Sequence, residues 1–245
     1  MKPLTKADLY SYSPIRFKGL FIHKPLLQEM GQLGHSRFQM LNGLLLMSED
    51  DLIVLQAEQE KKGEIPVPVT DPYKYMLFAA QNLTYFLELK LAFFTYIKRD
   101  VQVKNGNLVA LAPSKDETDF IFDSTSFYEL QTIIRQINNL EIADEPDIIN
   151  GNAAMVEKFM EARKKLRLAK AKERQKARDK GEGLDISTVQ MAVSTMFGYT
   201  PVEVEALTVY QLFALFKMGQ QQEKFTLSHH ALCAGAKGKL KYWIY

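Results

Sequence analysis

The chain has 245 residues, 47% of them hydrophobic, which is enough to bury one large core or two small ones and excludes an intrinsically disordered protein. Its 31 Lys+Arg against 29 Asp+Glu leave a net charge of +2, which by itself predicts no polyanionic partner. The single cysteine, Cys233, excludes an internal disulfide and any thiolate cage for a metal, as expected of a chain made in a reducing cytosol. The N-terminal "MKPLTKADLYSYSPIRF" has no apolar run followed by a small-residue cleavage site, so no secretory signal is expected.

In chain order, "IRFKGLFIH" (Ile15 to His23) alternates apolar residues on either side of Gly19 and predicts a short strand or bent hairpin. Pro25 occupies the expected first position of a helix, and the helical spacing that follows is interrupted by Gly31, Gly34 and Gly43. Ser48 with Asp51 forms a capping box that opens "SEDDLIVLQAEQEK". "GEIPVPV" must be extended, because Pro66 and Pro68 remove two backbone donors. Asp71 as cap and Pro72 at the first position start a long helical region to about Arg99. Its apolar stretch, Tyr75 to Ile97, is interrupted by Gln81, Asn82, Glu88 and Lys90, which predicts a buried helix or two and no transmembrane span.

Asn105-Gly106, flanked by alternating apolar residues in "VQVKNGNLVAL", predicts a two-stranded hairpin over 101–111. Ser126 with Glu129 is the next capping box, opening "FYELQTIIRQINNL", and "EIADEPDIINGN" reads as an acidic, turn-rich linker. Three further boxes, Ser187/Gln190, Thr200/Glu203 and Thr208/Gln211, predict a C-terminal three-helix unit. In its last helix Val209, Leu212, Phe213 and Phe216 share one apolar face, and Met191, Met196 and Met218 read as core filler more readily than as a binding groove. The expected fold is therefore α+β and predominantly α-helical, with an N-terminal region 1–140, a linker and basic projection 141–183, and a helical unit 184–245.

Charge is unevenly spread: Lys158 to Lys180 holds eleven basic and three acidic residues, a local +8 that leaves −6 for the rest. Met155, Phe159, Ala162, Leu166 and Ala169 follow the 4-3-4-3 spacing of a packing seam, which ends where Glu173 and Lys176 take the next positions. Lys170, Lys172, Arg174, Lys176 and Arg178 are spread around the helix axis, and no aromatic follows Phe159. A phosphate-tracking face would be one-sided or interleaved with stacking rings, so a solvated or partner-facing helix is the favoured reading over nucleic-acid binding. "SHHALC" places His229 and Cys233 on one helix face, yet His23 and His35 lie far off in sequence. A zinc site needs about four ligands. Helix packing is therefore the expectation for these rings, with no metal and no cofactor. No nucleophile, base and orienting group converge, and no catalytic residue is expected.

The C-terminal stretch "TMFGYTPVEVEALTVYQLFALFKMGQQQEKFTLSHHALCAGAKGKLKYWIY" resembles the end of proteins encoded in the tail-gene cluster of tailed bacteriophages of Gram-positive hosts. The resemblance rests on Val209 to Leu212, Gln220 to Lys224, Ala234 to Lys237 and Trp243. "YSPIRFKGLFIHKPLLQEMGQLG" is similar to the opening of phage proteins from the same gene neighbourhood. What this implies is a non-enzymatic tail assembly chaperone in the host cytoplasm. It would bind the tape-measure protein and tail-tube subunits through apolar helical faces. A permanent neck, tail or baseplate component of the virion is the alternative within the same system, and a nucleic-acid-binding accessory protein is the alternative outside it. The partner-contact residues expected are Tyr210, Phe213, Phe216, Met218 and Trp243, with Arg163, Lys164, Lys165 and Arg167 on the basic projection. Self-association is a further expectation.

Overall fold

The computed structural model describes residues 4–114, 117–140, 161, 165–166, 168–169, 172–173 and 186–234. The acidic linker, most of the basic tract and Trp243 lie outside the described residues.

A short helix α1 (Lys6–Tyr10) leads into strands β1 (Ile15–Phe17) and β2 (Leu20–Ile22), which pair antiparallel with Ile15 opposite Ile22. Both turn residues, Lys18 and Gly19, have positive φ (45° and 89°), the geometry whose twist matches a two-residue hairpin. Ile15, Phe17, Leu20 and Ile22 point into the core, while Arg16 and Phe21 pair outside, the guanidinium 5.6 Å from the ring centroid. Lys24 is buried just beyond, its ammonium donating to the carbonyls of Asp8, Ser11 and Ser13. One cation thus fastens the N-terminal segment to the body, as a buried charge requires such partners.

Helices α2 (Leu27–Leu33) and α3 (His35–Leu45) follow, separated by Gly34 at φ 84°. Gly31 and Gly43 are carried inside them, so only one of the three glycines breaks the run. Pro25 is not the first helical residue. The helix starts two residues later, where the Glu29 carboxylate accepts the N–H of Leu26 at 3.0 Å. The box on α4 (Glu49–Lys61) is as expected, Ser48 and Asp51 exchanging backbone-to-side-chain bonds of 3.0 and 3.2 Å. The loop after it is extended, and Gln56 and Gln59 on α4 bond the backbone at Val67 and Val69.

The long helical region divides into α5 (Pro72–Ala79) and α6 (Leu83–Ile97), because Asn82 acts as a second cap and accepts from the Tyr85 N–H at 3.2 Å. Next, β3 (Val101–Lys104) and β4 (Asn107–Ala110) join through Asn105 and Gly106, both at positive φ. The predicted ribbon gains a third strand, β5 (Phe120–Ile121), paired with Val109 and Ala110. Phe122 explains it: fully buried, its ring lies 5.4 Å from Phe93 and 4.8 Å from Phe120, holding the strand against the ribbon. In α7 (Ser124–Ile137) the cap is Asp123, three residues earlier than expected, and Ser126 is the residue that bonds back to it. An acid ahead of a Ser-Thr-Ser run takes the cap because its carboxylate reaches both the N–H and the hydroxyl of Ser126.

The C-terminal helices are α8 (Ile186–Phe197), α9 (Pro201–Glu205) and α10 (Val209–Cys233). Ser187 is already inside α8 and is not its cap, whereas Thr200 and Thr208 cap as expected. Ile186, Val189, Val193, Val204, Val209 and Leu212 belong to the same buried cluster as α6, α7 and the hairpins. At its centre Tyr96 is 1% exposed. The Tyr96 hydroxyl donates to Asn42 on α3 and accepts from Asn138 after α7 at 2.8 Å, and burial pushes this phenol well above its usual pKa.

Tyr96→Phe keeps the ring but removes the donor to Asn42 and one of the two acceptors of the Asn138 amide, which still donates to the Ile134 carbonyl, and should destabilise the fold by about 2 kcal/mol. Urea unfolding followed by circular dichroism checks this. A second expectation concerns acid. The Ser126 hydroxyl and N–H hold the Asp123 carboxyl below the usual carboxylate range. Its stabilisation is therefore present above the unfolded value of about 4 and is lost as pH falls through the lower folded value. Asp123→Asn keeps a capping oxygen and should flatten the fall in melting temperature between about pH 5 and 2.

Candidate partner-binding surfaces

The start of α10 is locked into the body. Thr208 and Gln211 exchange reciprocal bonds of 2.9 and 3.3 Å, and the Gln211 amide donates to the Tyr10 carbonyl at 2.7 Å. The preceding residue, Leu207, accepts the Leu27 N–H at 2.9 Å, and Thr208 bridges Leu26. With both α1 and α2 fixed to this corner, the first turns of α10 cannot move independently, and the remainder of the helix runs outward from a rigid base.

Tyr210, Phe213 and Phe216 are half-buried against the core, and Tyr210 meets Tyr10 edge-on at 5.3 Å. Tyr10 is shifted upward by burial and by Tyr210. These three rings serve packing first and leave only an edge for a partner. Met218 is on the surface, 37% exposed, and so are Met196 and Met191, the last at 71%. Reading these methionines as core filler is therefore corrected. At the contact of α8 with α10, a Cβ on buried Gly219 would meet the Met196 sulfur at 2.4 Å. The Met196 side chain crosses over Gly219 at the surface instead of entering the core. Val202 on α9 adds a further apolar side chain, 75% exposed. Of the four basic positions only Lys165 is described, helical and exposed, and its seam neighbour Leu166 is 59% exposed. Arg163, Lys164 and Arg167 lie outside the described residues.

Sequence reasoning missed the outer face of α6. Leu83, Leu87 and Phe94 are 71%, 55% and 50% exposed, and Leu91 is half-buried between the last two. They recur at i, i+4, i+8 and i+11, a strip about 16 Å long at 1.5 Å per residue. Leu89, Ala92, Phe93 and Tyr96 on the opposite side fill the core. A helix apolar all round reads as wholly buried. The usable signal was that one helix has two apolar faces and the neighbouring elements cover only one of them.

Ion pairs rim the strip: Arg37 with Glu88 at 2.9 Å, Lys90 with Asp100 at 2.9 Å, and Lys98 with Glu29 at 3.1 Å. Lys90 and Lys98 also lie over the rings of Phe86 and Phe94, at 5.8 and 5.9 Å. Nearby His23 is held below its ordinary pKa by burial first and by Lys98 second, against a smaller pull from Glu29. Exposed pairs of this kind add little stability but set the polar border that a docking helix would meet. Among the described residues no group of three or more His, Cys, Asp or Glu converges as a metal site, and no described helix is long and apolar enough to cross a membrane. His229 and His230 are not buried between helices as expected; both are exposed on α10, where His229 stacks on Phe225 of the same helix.

Gly219→Leu should loosen the contact of α8 with α10, because its side chain displaces the exposed Met196 sulfur into solvent and presses on the Phe197 ring, at a cost of about 1 kcal/mol, the low end of overpacking. Loss of amide protection confined to residues 186–219 in hydrogen exchange checks it. Comparison with protein-family models, curated proteins and solved structures finds no match to this chain.

Proposed function

We propose that this chain is a non-enzymatic tail-morphogenesis protein of a tailed bacteriophage, a tail assembly chaperone that holds a helix of the tape-measure protein. The observation that supports the reading is the exposed strip Leu83, Leu87, Leu91 and Phe94 on α6. A long helical cargo presents apolar positions at the same i, i+4 and i+7 rhythm, so the two helices can bury each other's stripe. The surrounding ion pairs would fix register at little cost in stability. Exposed Met191, Met196 and Met218 on α8 and α10 supply further adaptable area, suited to a cargo whose sequence changes along its length.

Burying two exposed leucines contributes about 3 kcal/mol, so Leu83→Glu with Leu87→Glu should weaken capture of co-expressed tape-measure protein by 100-fold or about that. Melting temperature should hold, since both side chains are exposed in the free protein. Unchanged capture would remove α6 as the binding face. Mass spectrometry of purified virions against infected-cell lysate then separates the roles. Abundance in lysate with absence from particles supports the chaperone, and a fixed copy number in the particle overturns it in favour of a structural tail, neck or baseplate component.

A further inference from the structure

Beyond Gly219 the described side chains of α10 are exposed, apart from half-buried Phe225. These 14 residues, Gln220 to Cys233, carry the helix about 21 Å past its last packed turn. Met218, Gln222, Phe225 and His229 follow 4-3-4 spacing along one side, with Cys233 one turn further on. The His229 ring stacks on Phe225, centroids 6.4 Å apart and planes 24° from parallel.

At the end of this face the Cys233 sulfur lies 3.9 Å from both ring nitrogens of His229. Tetrahedral zinc with a thiolate at about 2.3 Å and an imidazole at about 2.05 Å sets sulfur and nitrogen about 3.6 Å apart. The sulfur is equally far from the two nitrogens, so neither lone pair faces it as the ring stands; rotating the exposed His229 ring to turn one nitrogen toward the ion makes the pair bidentate. One chain supplies two ligands and no third converges on them among the described residues, so the coordination shell is half complete. His230 is rotated by about 100° to another side of the helix and does not complete it.

We propose that His229 and Cys233 from two copies of this chain bind one zinc ion, joining the exposed ends of α10 into a zinc-clasped dimer. Two copies supply two thiolates and two neutral imidazoles, the Cys2His2 set of structural zinc. As the two Zn–S bonds form, each thiol gives its proton to solvent and the ion's water ligands leave, so the doubly charged ion ends in a neutral site. The same approach covers the exposed part of Phe225 and Met218 on both chains. The site is independent of the α6 strip, and its failure would leave the cargo reading untouched.

The test uses the untagged full-length protein in a phosphine reductant. Light scattering coupled to size exclusion should show a mass that doubles on adding zinc and returns on adding EDTA, with one metal per two chains. Cobalt in place of zinc should give the visible d–d bands of a tetrahedral site together with thiolate charge transfer. His229→Ala and Cys233→Ser should each abolish both signals while the circular dichroism spectrum stays unchanged, and His230→Ala should keep them. A chain that stays monomeric with zinc, a metal bound one per monomer, or a zinc dimer that survives both ligand variants would each overturn the proposal. So would a dimer that resists EDTA and dissolves only in reductant, which would be a disulfide.

Discussion

Tyr96 is the point from which the described fold is organised. Its hydroxyl, fully enclosed, must find partners or cost the free energy of an unmade hydrogen bond in the core. The partners it finds are Asn42 on α3 and Asn138 at the end of α7. Its backbone carbonyl accepts from His23 at 2.6 Å, so the N-terminal hairpin is fixed to the same residue. Apolar packing would tolerate several rotations of α3 and α7 around α6, and this polar node selects one of them.

From that node the rest follows by layers. The inner side of α6 packs α3, the three-stranded ribbon and α7, with the Phe93 ring meeting both Phe122 and Phe127. The C-terminal helices are added through Leu207 and Thr208, which join α2, and through Gln211, which holds α1. Lys24 and Gln211 hold adjacent carbonyls of the same N-terminal segment. These bonds tie the N-terminal segment to the start of α10, and the apolar surface left uncovered is the outer side of α6 with the methionines of α8 and α10. Rigid helices with uncovered apolar sides are what a protein needs to hold another helix, since little further ordering is required on binding.

Much of this was legible in the sequence wherever the cause is local. The turns at Gly19 and Asn105-Gly106 were readable because positive φ is open to few residues, though positive φ at Lys18 was not, and the caps at Ser48, Asp71, Thr200 and Thr208 were readable because a side-chain oxygen near an unpaired N–H has one obvious use. The misplaced caps at Ser126 and Ser187 arose where several capping residues adjoin and the packing of the helix behind them decides between them. The strand β5 was hidden because two residues carry no period, and it exists only through the burial of Phe122. For the candidate surfaces the sequence indicated apolar helix faces but not which would remain bare: Phe213 and Phe216 went inward, and Leu83, Leu87 and Phe94 stayed out.

What the sequence by itself determined, then, is the α+β class, the hairpins and the caps at Ser48, Asp71, Thr200 and Thr208, all set by interactions within a few residues of each other. Tertiary structure alone decided which side of each helix is covered, because coverage depends on partners distant in the chain. Asn138 and Tyr96 are 42 residues apart, and Gln211 and Tyr10 are 201 apart. No local spacing encodes such a meeting. The exposed strip on α6 and the paired His229 and Cys233 at the end of α10 are readable as surfaces only once that long-range packing has been made.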